Sequence, residues 1–428
     1  MKKIFFLFLI LLFIGSCGTK TESDKVIDII YPSENIQVPP EFYILAVSIS
    51  WKDTFIFNPL LFGRVKTINP EGLKGKIYID NKFVLETKKA KHHFIKVHIS
   101  DEGKHIISFK TKYGSKSVYI KVKPTKIIFV KEKIDLQKKL ENLKKLVIKQ
   151  FKWKDKKKFI RYDNFKLVNI VPNDTNLLLV WKKFYKYSSL FKFSIINIQE
   201  KTKKDFNLPD NLLYGNNGEL YFSDTGIDSV VSCGNGFLFR ILKENTVLLY
   251  RLNNDGSILK TEVSLYKYAD KNDKLMTPAY KYPNYYHIAC AKDYQALLYP
   301  VYGDYNLDYK AVIYNKDKFT KSARFIDFDN FKASIFLTDK GSLFVYKIPD
   351  RVLNNEKSRL FYLRDKNIKE VLIPLPFEKD YYPINKAYVN IKGVYFPPKI
   401  KINTLFLDKL YMSVEIFEKR GTFSIKEL

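Results

Sequence analysis

The residues that could do chemistry in this chain fall into a few groups. Cys233 and Cys290 occupy matching contexts, Asp228-Ser-Val-Val-Ser-Cys-Gly and Tyr285-Tyr-His-Ile-Ala-Cys-Ala, each beside small or apolar neighbours. Two readings are open for them: a disulfide, if their Cα atoms come within about 7 Å in an oxidising compartment, or two buried thiols. Ten tyrosines lie between Tyr280 and Tyr314, and Tyr285, Tyr286, Tyr302 and Tyr305 are the candidates for an aromatic partner surface. Tyrosine joins apolar area to a hydroxyl, which suits contact with a glycan or a protein, although it also packs well in strands. From Lys138 to Arg161 the chain carries eleven basic residues and two acids. Lys144, Lys145, Lys149, Lys156, Lys157 and Lys158 are the candidates there for contact with an anionic surface, the plainer reading being a solvated helix face.

Other patterns fail on geometry. His92, His93, His98 and His105 are close in sequence, but in strands adjacent residues face opposite ways, so they do not converge as metal ligands. His105, in step with Ile107 and Phe109, is expected to face inward. Asp304, Asn306 and Asp308 open like a calcium loop, yet the sixth position is Tyr309 and the twelfth is Asn315, where the geometry needs Gly and Glu. No phosphate loop, zinc signature, nucleophile elbow or Cys-x-x-Cys pair is present, so no cofactor, no metal and no catalytic residue are assigned. The chain is therefore expected not to be an enzyme.

The elements that must hold these residues are mainly β. Residues 26–125 offer about seven short strands separated by turn chemistry such as Asp80-Asn81, Asp101-Glu102-Gly103 and Tyr113-Gly114. That spacing suits an immunoglobulin-like sandwich, and the run Ile99-Ser-Asp-Glu-Gly-Lys-His-Ile-Ile resembles the strand–turn–strand of bacterial Ig-like domains. Residues 126–164 form a basic connector, in which Leu136, Leu140, Leu143 and Val147 share a helical face behind Asp135 as N-cap. From 165 to 428 strand-rich segments recur with starts near 165, 228, 285, 331 and 387. Four strands per repeat is what a β-propeller blade requires, with five to seven blades expected; a large sandwich or a solenoid is the alternative.

Composition limits the partners. The chain has 428 residues, 46% of them hydrophobic, enough to bury cores and to exclude wholesale disorder. Its formal net charge is +29, from 74 Lys+Arg against 45 Asp+Glu. Only nine of those cations are arginine, the residue that reads guanine and phosphate with a planar fork, so nucleic acid is disfavoured as a partner.

The N-terminus points to a membrane. Lys2 and Lys3 precede an unbroken apolar run from Ile4 to Ile14, too short to span a bilayer as a helix. It ends in Ile14-Gly15-Ser16-Cys17, which resembles the lipobox of bacterial lipoproteins. The resemblance implies a signal peptide over 1–16, lipidation of Cys17, a tether over 17–25, and anchoring to the cell envelope, in the outer membrane on either its periplasmic or its surface face. The Lys-, Ile-, Phe-, Tyr- and Asn-rich composition is similar to that of spirochaetal lipoproteins. Anchor and expected fold together resemble propeller lipoproteins accessory to outer-membrane protein assembly, which implies a scaffold with a protein partner. Two alternatives are kept: an adhesin binding an anionic polymer or glycan, and a propeller hydrolase acting on envelope glycans.

Overall fold

The computed structural model describes residues 25–427 except 33, 59–62, 125–126, 151–160, 163, 174–175, 185–188, 207–229, 278, 280–281, 304–305, 330, 350–358, 366, 375–398, 404–409 and 417–418. The chain divides into two compact units, Met1–Lys123 with Lys379–Gly393, and Pro124–Glu378 with Val394–Leu428.

The first unit is a two-sheet sandwich. In one sheet the long strand Glu41–Asn58 pairs with Lys25–Tyr31, Gly63–Gly72 and His92–His98, all antiparallel. The other runs Ile36–Val38, Gly114–Val122, Gly103–Thr111, Gly75–Ile79 and Lys82–Glu86 side by side, and its first pair is parallel. Period-two patterning decides which face is inside: Val118, Ile120 and Val122 are buried, while Tyr119 and Lys121 stay exposed. The His93 ring, from the first sheet, lies 5.0 Å from that of Phe109 in the second, between the two layers. Its Nε2 meets Ser48 Oγ at 2.7 Å, and burial followed by the neighbouring His92 pushes its pKa down to about 4. Asp80 and Asn81 take φ of 50° and 64°, the left-handed conformation a two-residue hairpin needs, and Ile79 pairs with Lys82 across it. His105 keeps the inward parity of Ile107 and Phe109, opposite Ile120, with its side chain 10% exposed. Its ring bonds Asp80 Oδ2 at 2.6 Å and the Asp101 carbonyl at 2.8 Å, because those polar turns supply partners that the apolar layer cannot.

The second unit is β-propeller-like. Among the described residues it contains five antiparallel sheets, four of them built on a four-stranded meander. The first comprises Phe165–Asn173, Asn176–Phe184, Ser189–Asn197 and Thr202–Phe206, with Arg161–Tyr162 added at its inner edge. The second comprises Val230–Cys233, Gly236–Leu242, Thr246–Asn253 and Ile258–Ser264. In the third, His287–Cys290, Tyr294–Tyr302, Leu307–Asn315 and Lys318–Phe325 follow one another, and Lys274–Leu275 also pairs with Tyr294–Tyr302. The fourth takes Phe331–Leu337, Leu343–Pro349, Arg359–Leu363 and Ile368–Val371. The first strand of each sheet packs against the first strand of the next, from first sheet to fifth. That serial packing of inner strands separates a propeller from a large sandwich or a solenoid.

The fifth sheet is closed by distant chain segments. Lys399–Asn403, Leu410–Ile416 and Lys419–Glu427 come from the C-terminal part, and the outer strand is Ile127–Glu132. Ser424 Oγ donates to Glu132 Oε1 at 2.8 Å across this joint. The stretch expected as connector therefore opens with a blade strand. Exposure alternates from Ile127 to Val130, with Ile128 and Val130 on the wet face, as in an edge strand with one face in water. The expected repeat start at Ala387 lies outside the described residues, and the first strand of that sheet begins at Lys399.

Sequence periodicity explains how the sheets stack. Gly236–Leu242 and Thr246–Asn253 are near-continuous apolar runs because both faces are covered. Phe237, Phe239 and Ile241 fill the seam towards the first sheet with Leu178, Val180 and Phe193. Leu238 and Leu242 point the other way, into the seam with Ile288, Leu297 and Tyr299 of the third sheet. The outer strand Ile258–Ser264 reverts to alternation and keeps one face wet.

The helix Leu136–Gln150 (α1) is capped by Asp135, whose Oδ1 accepts from Lys138 N at 3.1 Å. Val147, Leu143 and Ile148 rest on Leu177, Leu179, Trp181 and Ile196 of the first sheet, while Leu136 packs on Tyr411 of the fifth. No helix among the described residues is long and apolar enough to cross a membrane, a statement that does not extend to β-barrels.

Candidate functional site

In a four-stranded meander the turns joining first to second strands lie at one end of every sheet, and the loops joining successive sheets lie at the other. The two ends of this unit differ in chemistry. At the first, side chains stitch neighbouring sheets together. Asn173 Nδ2 donates to the Gly236 carbonyl at 2.8 Å, Arg251 donates to the Lys292 carbonyl, and Lys292 N donates to Asp339 Oδ1 at 3.0 Å. Within its own sheet Gly236 lies so close to the neighbouring strand that a Cβ there would overlap the Leu252 carbonyl. The last stitch is Glu427, whose carboxylate accepts from Thr338 Oγ1 at 2.8 Å, Ser342 Oγ at 2.9 Å and the Tyr362 hydroxyl at 2.7 Å. Arg364 Nε stands 3.6 Å away. Burial alone would raise the Glu427 pKa, but these donors and Arg364 hold it below the usual carboxylate range.

Cys233 and Cys290 are disulfide-bonded between the inner strands of the second and third sheets, with Cα atoms 4.9 Å apart. Of the two readings open in the sequence, the structure takes the bond.

The other end carries the tyrosines. The loop between Ser264 and His287 turns through a short 3₁₀ segment, Pro283–Tyr285, with Tyr285 N donating to the Tyr282 carbonyl at 3.1 Å. Tyr282 and Tyr285 remain 37% exposed, and Tyr302, at the end of its strand, 39%. This end of the third sheet, where Tyr302 pairs with Leu307, forms a rim, and burial first, then Tyr285, Asp329 and Tyr282, raises the Tyr302 hydroxyl above its ordinary pKa. Asp329 Oδ1 accepts from Leu307 N at 2.9 Å, which fixes its carboxylate.

Below the rim a charged network ties the loop to the third sheet. Arg324 Nε bonds Asp308 Oδ2 at 2.8 Å, and its Nη1 reaches Asp273 Oδ1 at 2.7 Å and Asp270 Oδ2 at 3.2 Å. Lys310 Nζ bonds Asp270 Oδ1 at 2.9 Å, and that bond first, with Arg324 in support, holds the Asp270 pKa low. Towards the other end of the same strand the Tyr268 and Tyr314 hydroxyls join at 2.9 Å.

Of the aromatic candidates, Tyr285 and Tyr302 are both partly exposed at this end. Tyr286 is corrected: it is fully buried, and its hydroxyl donates to the Met276 carbonyl at 2.8 Å. The tight turn sends adjacent residues to opposite sides, so only one of the pair can face solvent. Tyr305 lies outside the described residues, as do Cys17, Lys156, Lys157 and Lys158. Lys145 and Lys149 are exposed on α1, and Lys144 is half-buried. Sequence reasoning passed over Tyr282, which lies in the same tyrosine run, and Asp329, which carries no local signal. It also missed the Arg324 network, whose partners are up to 54 residues apart.

No family model matches the chain, and no curated protein is significantly similar to it. Solved structures do match in fold. The β-propeller domain of the Trilobed protease from Pyrococcus furiosus aligns over 94% of this chain and 84% of that one, at 10% identity and a TM-score of 0.31. Pyrococcus horikoshii acylaminoacyl peptidase aligns over 61% of this chain, at 11% identity and a TM-score of 0.32. The chain spans 44% of that peptidase's length. The α-L-arabinofuranosidase PaAbf62A from Podospora anserina aligns over 61% of this chain and 91% of its own, at 7% identity and a TM-score of 0.26. One expectation is corrected here. A chain without a familiar catalytic motif is not thereby a non-enzyme, since its structural neighbours include a protease domain, a peptidase and a glycosidase.

Proposed function

We propose that this chain is a glycan-acting propeller protein of the hydrolase type, working in the cell envelope. The observation that carries this reading is the rim that bears Tyr282, Tyr285 and Tyr302, each more than a third exposed, together with Asp329, whose carboxylate accepts from the N–H of Leu307, the cross-strand partner of Tyr302. Half-exposed aromatic rings offer flat apolar faces to sugar rings, and their hydroxyls take up the ring substituents. Asp329, already anchored through Leu307 N, would serve as one of the carboxylates that glycoside hydrolysis requires. Asp293 and Asp339 lie in first-to-second-strand turns at the opposite, stitched end, and Asp224 and Asp228 lie outside the described residues.

Binding and cleavage are tested separately. Purified chain is incubated with isolated envelope glycan, and reducing ends are counted against the Asp329→Asn variant. Affinity for oligosaccharide fragments is measured in parallel for the Tyr282→Ala/Tyr302→Ala variant. Release that falls at least a hundredfold in D329N, with binding lost in the tyrosine variant, supports the reading. Neither binding nor release by the native chain sinks it. The scaffold reading has no comparable observation in its favour.

The anchor belongs to the same proposal. The lipobox-like Ile14-Gly15-Ser16-Cys17 supports a lipid on Cys17, and the buried disulfide suits an oxidising, extracytoplasmic compartment. An Ig-like stalk near the membrane is the matching role for the two-sheet sandwich. Labelled palmitate entering the native chain but not Cys17→Ala, with the variant released from membranes, is the expected result.

A further inference from the structure

The sandwich unit holds a cavity of about 700 Å³, within the range of small-molecule sites. Its described lining includes Lys74, Lys76, Lys89, Lys110 and Lys112, against the acids Glu71 and Glu86. Two of these cations are placed by aromatic rings. Lys110 Nζ sits 4.6 Å above the Tyr78 ring and Lys112 Nζ 4.6 Å from the Tyr113 ring, both tyrosines being part of the wall. Lys89 is held at 3.5 Å by Glu71. Lys74 and Lys76 are exposed, and among the described residues their ammonium groups have no hydrogen-bond or ion partner. The floor is packed tightly: a Cβ on Gly75 would overlap the Phe109 ring, and one on Gly72 the Ala90 backbone. The concavity therefore comes from buried glycine backbone, while the charge stands around it.

We propose that this cavity is a binding site for an acidic oligosaccharide, independent of the tyrosine rim. Five ammonium groups around one concave space favour a ligand with several separated anionic groups, and two glutamates in the wall supply acceptors for its hydroxyls. The described lining contains no arginine fork, which disfavours nucleic acid, and its tyrosine rings already carry lysines, which disfavours base stacking.

The test uses the full chain and a labelled tetragalacturonate, with neutral maltotetraose and a twelve-nucleotide oligothymidylate as comparison probes. Lys74→Glu/Lys76→Glu should weaken tetragalacturonate binding at least tenfold, and Lys74→Gln/Lys76→Gln should fall between it and the native chain. Maltotetraose should bind at least tenfold more weakly than tetragalacturonate, and raising the salt should weaken the acidic sugar alone. Lys145→Glu/Lys149→Glu on α1 should stay within twofold of native. Unchanged melting of the cavity variants shows that they fold. The proposal is overturned if K74E/K76E binds as native, if the α1 variant loses binding instead, or if oligothymidylate binds more tightly than the acidic sugar. Failure of the rim variant in the glycan assays leaves this result untouched, so the two readings fall separately.

Discussion

Reducing the Cys233–Cys290 disulfide should destabilise the propeller-like unit by about 4 kcal/mol. The bond joins the inner strands of the second and third sheets and closes a loop with a sequence separation of 57. In the chain-entropy treatment a loop of that size removes about 4 kcal/mol of unfolded-state freedom at 25 °C. Both cysteines are buried, at 0% and 7% exposure, and the seam around them is filled by Leu238, Val247, Ile288 and Leu297. Reduction leaves the two sulfurs in that seam without opening a cavity, so the loop contribution dominates. In a unit of this size the loss corresponds to a melting point lower by on the order of 10 °C. Scanning calorimetry with and without a phosphine reductant measures it, and Cys233→Ala/Cys290→Ala should fall at least as far because it also removes packing. Thiol counting in denaturant without reductant should find neither Cys233 nor Cys290 free. A shift of less than about 1 kcal/mol on complete reduction would refute the reasoning, as would two free thiols in the unreduced chain.

Glu427 is the last stitch of the closed end, and Glu427→Gln should cost about 3 kcal/mol in urea unfolding, since three hydroxyl bonds lose their charged acceptor. Its depressed pKa sets a pH window. The folded state holds the proton less tightly than the unfolded one, so the stabilisation is complete above the ordinary carboxylate pKa of about 4 and is lost as pH falls through the lower folded value. Thermal melts should be flat above about pH 5 and drop below about pH 4, with a smaller drop in E427Q; equal drops in both proteins would remove Glu427 as the cause. Arg324→Met strands Asp273 and Asp308, whose side chains are 2% and 9% exposed, and should cost about 3–5 kcal/mol, read as chemical unfolding together with faster proteolysis between 265 and 286. On α1, Lys145→Glu/Lys149→Glu should weaken sedimentation with anionic vesicles about tenfold at low salt, each lysine contributing on the order of 1 kcal/mol; unchanged sedimentation would return those lysines to a solvated surface.

What the sequence determined by itself was local. Alternation in Gly114–Val122, the Asp80-Asn81 hairpin and the 4, 3, 4 spacing behind Asp135 each follow from rules spanning a few residues, and each appears where the pattern puts it. The repeat was legible because continuous apolar runs such as Gly236–Leu242 must be covered on both faces, which only a stack of sheets provides. Tertiary structure decided everything that joins distant segments. Ile127–Glu132 looked like the start of a connector, yet it completes the sheet of Lys419–Glu427, because an edge strand with one wet face carries no mark of its partner. Tyr285 and Tyr286 are equivalent in sequence, and only the turn at Pro283 sends one to the rim and the other into the core. The five lysines of the sandwich cavity were hidden in a chain of net charge +29. Charge that reads as a uniform excess along the sequence becomes a site only where backbone packing makes a concave wall, and that depends on contacts such as Gly75 against Phe109.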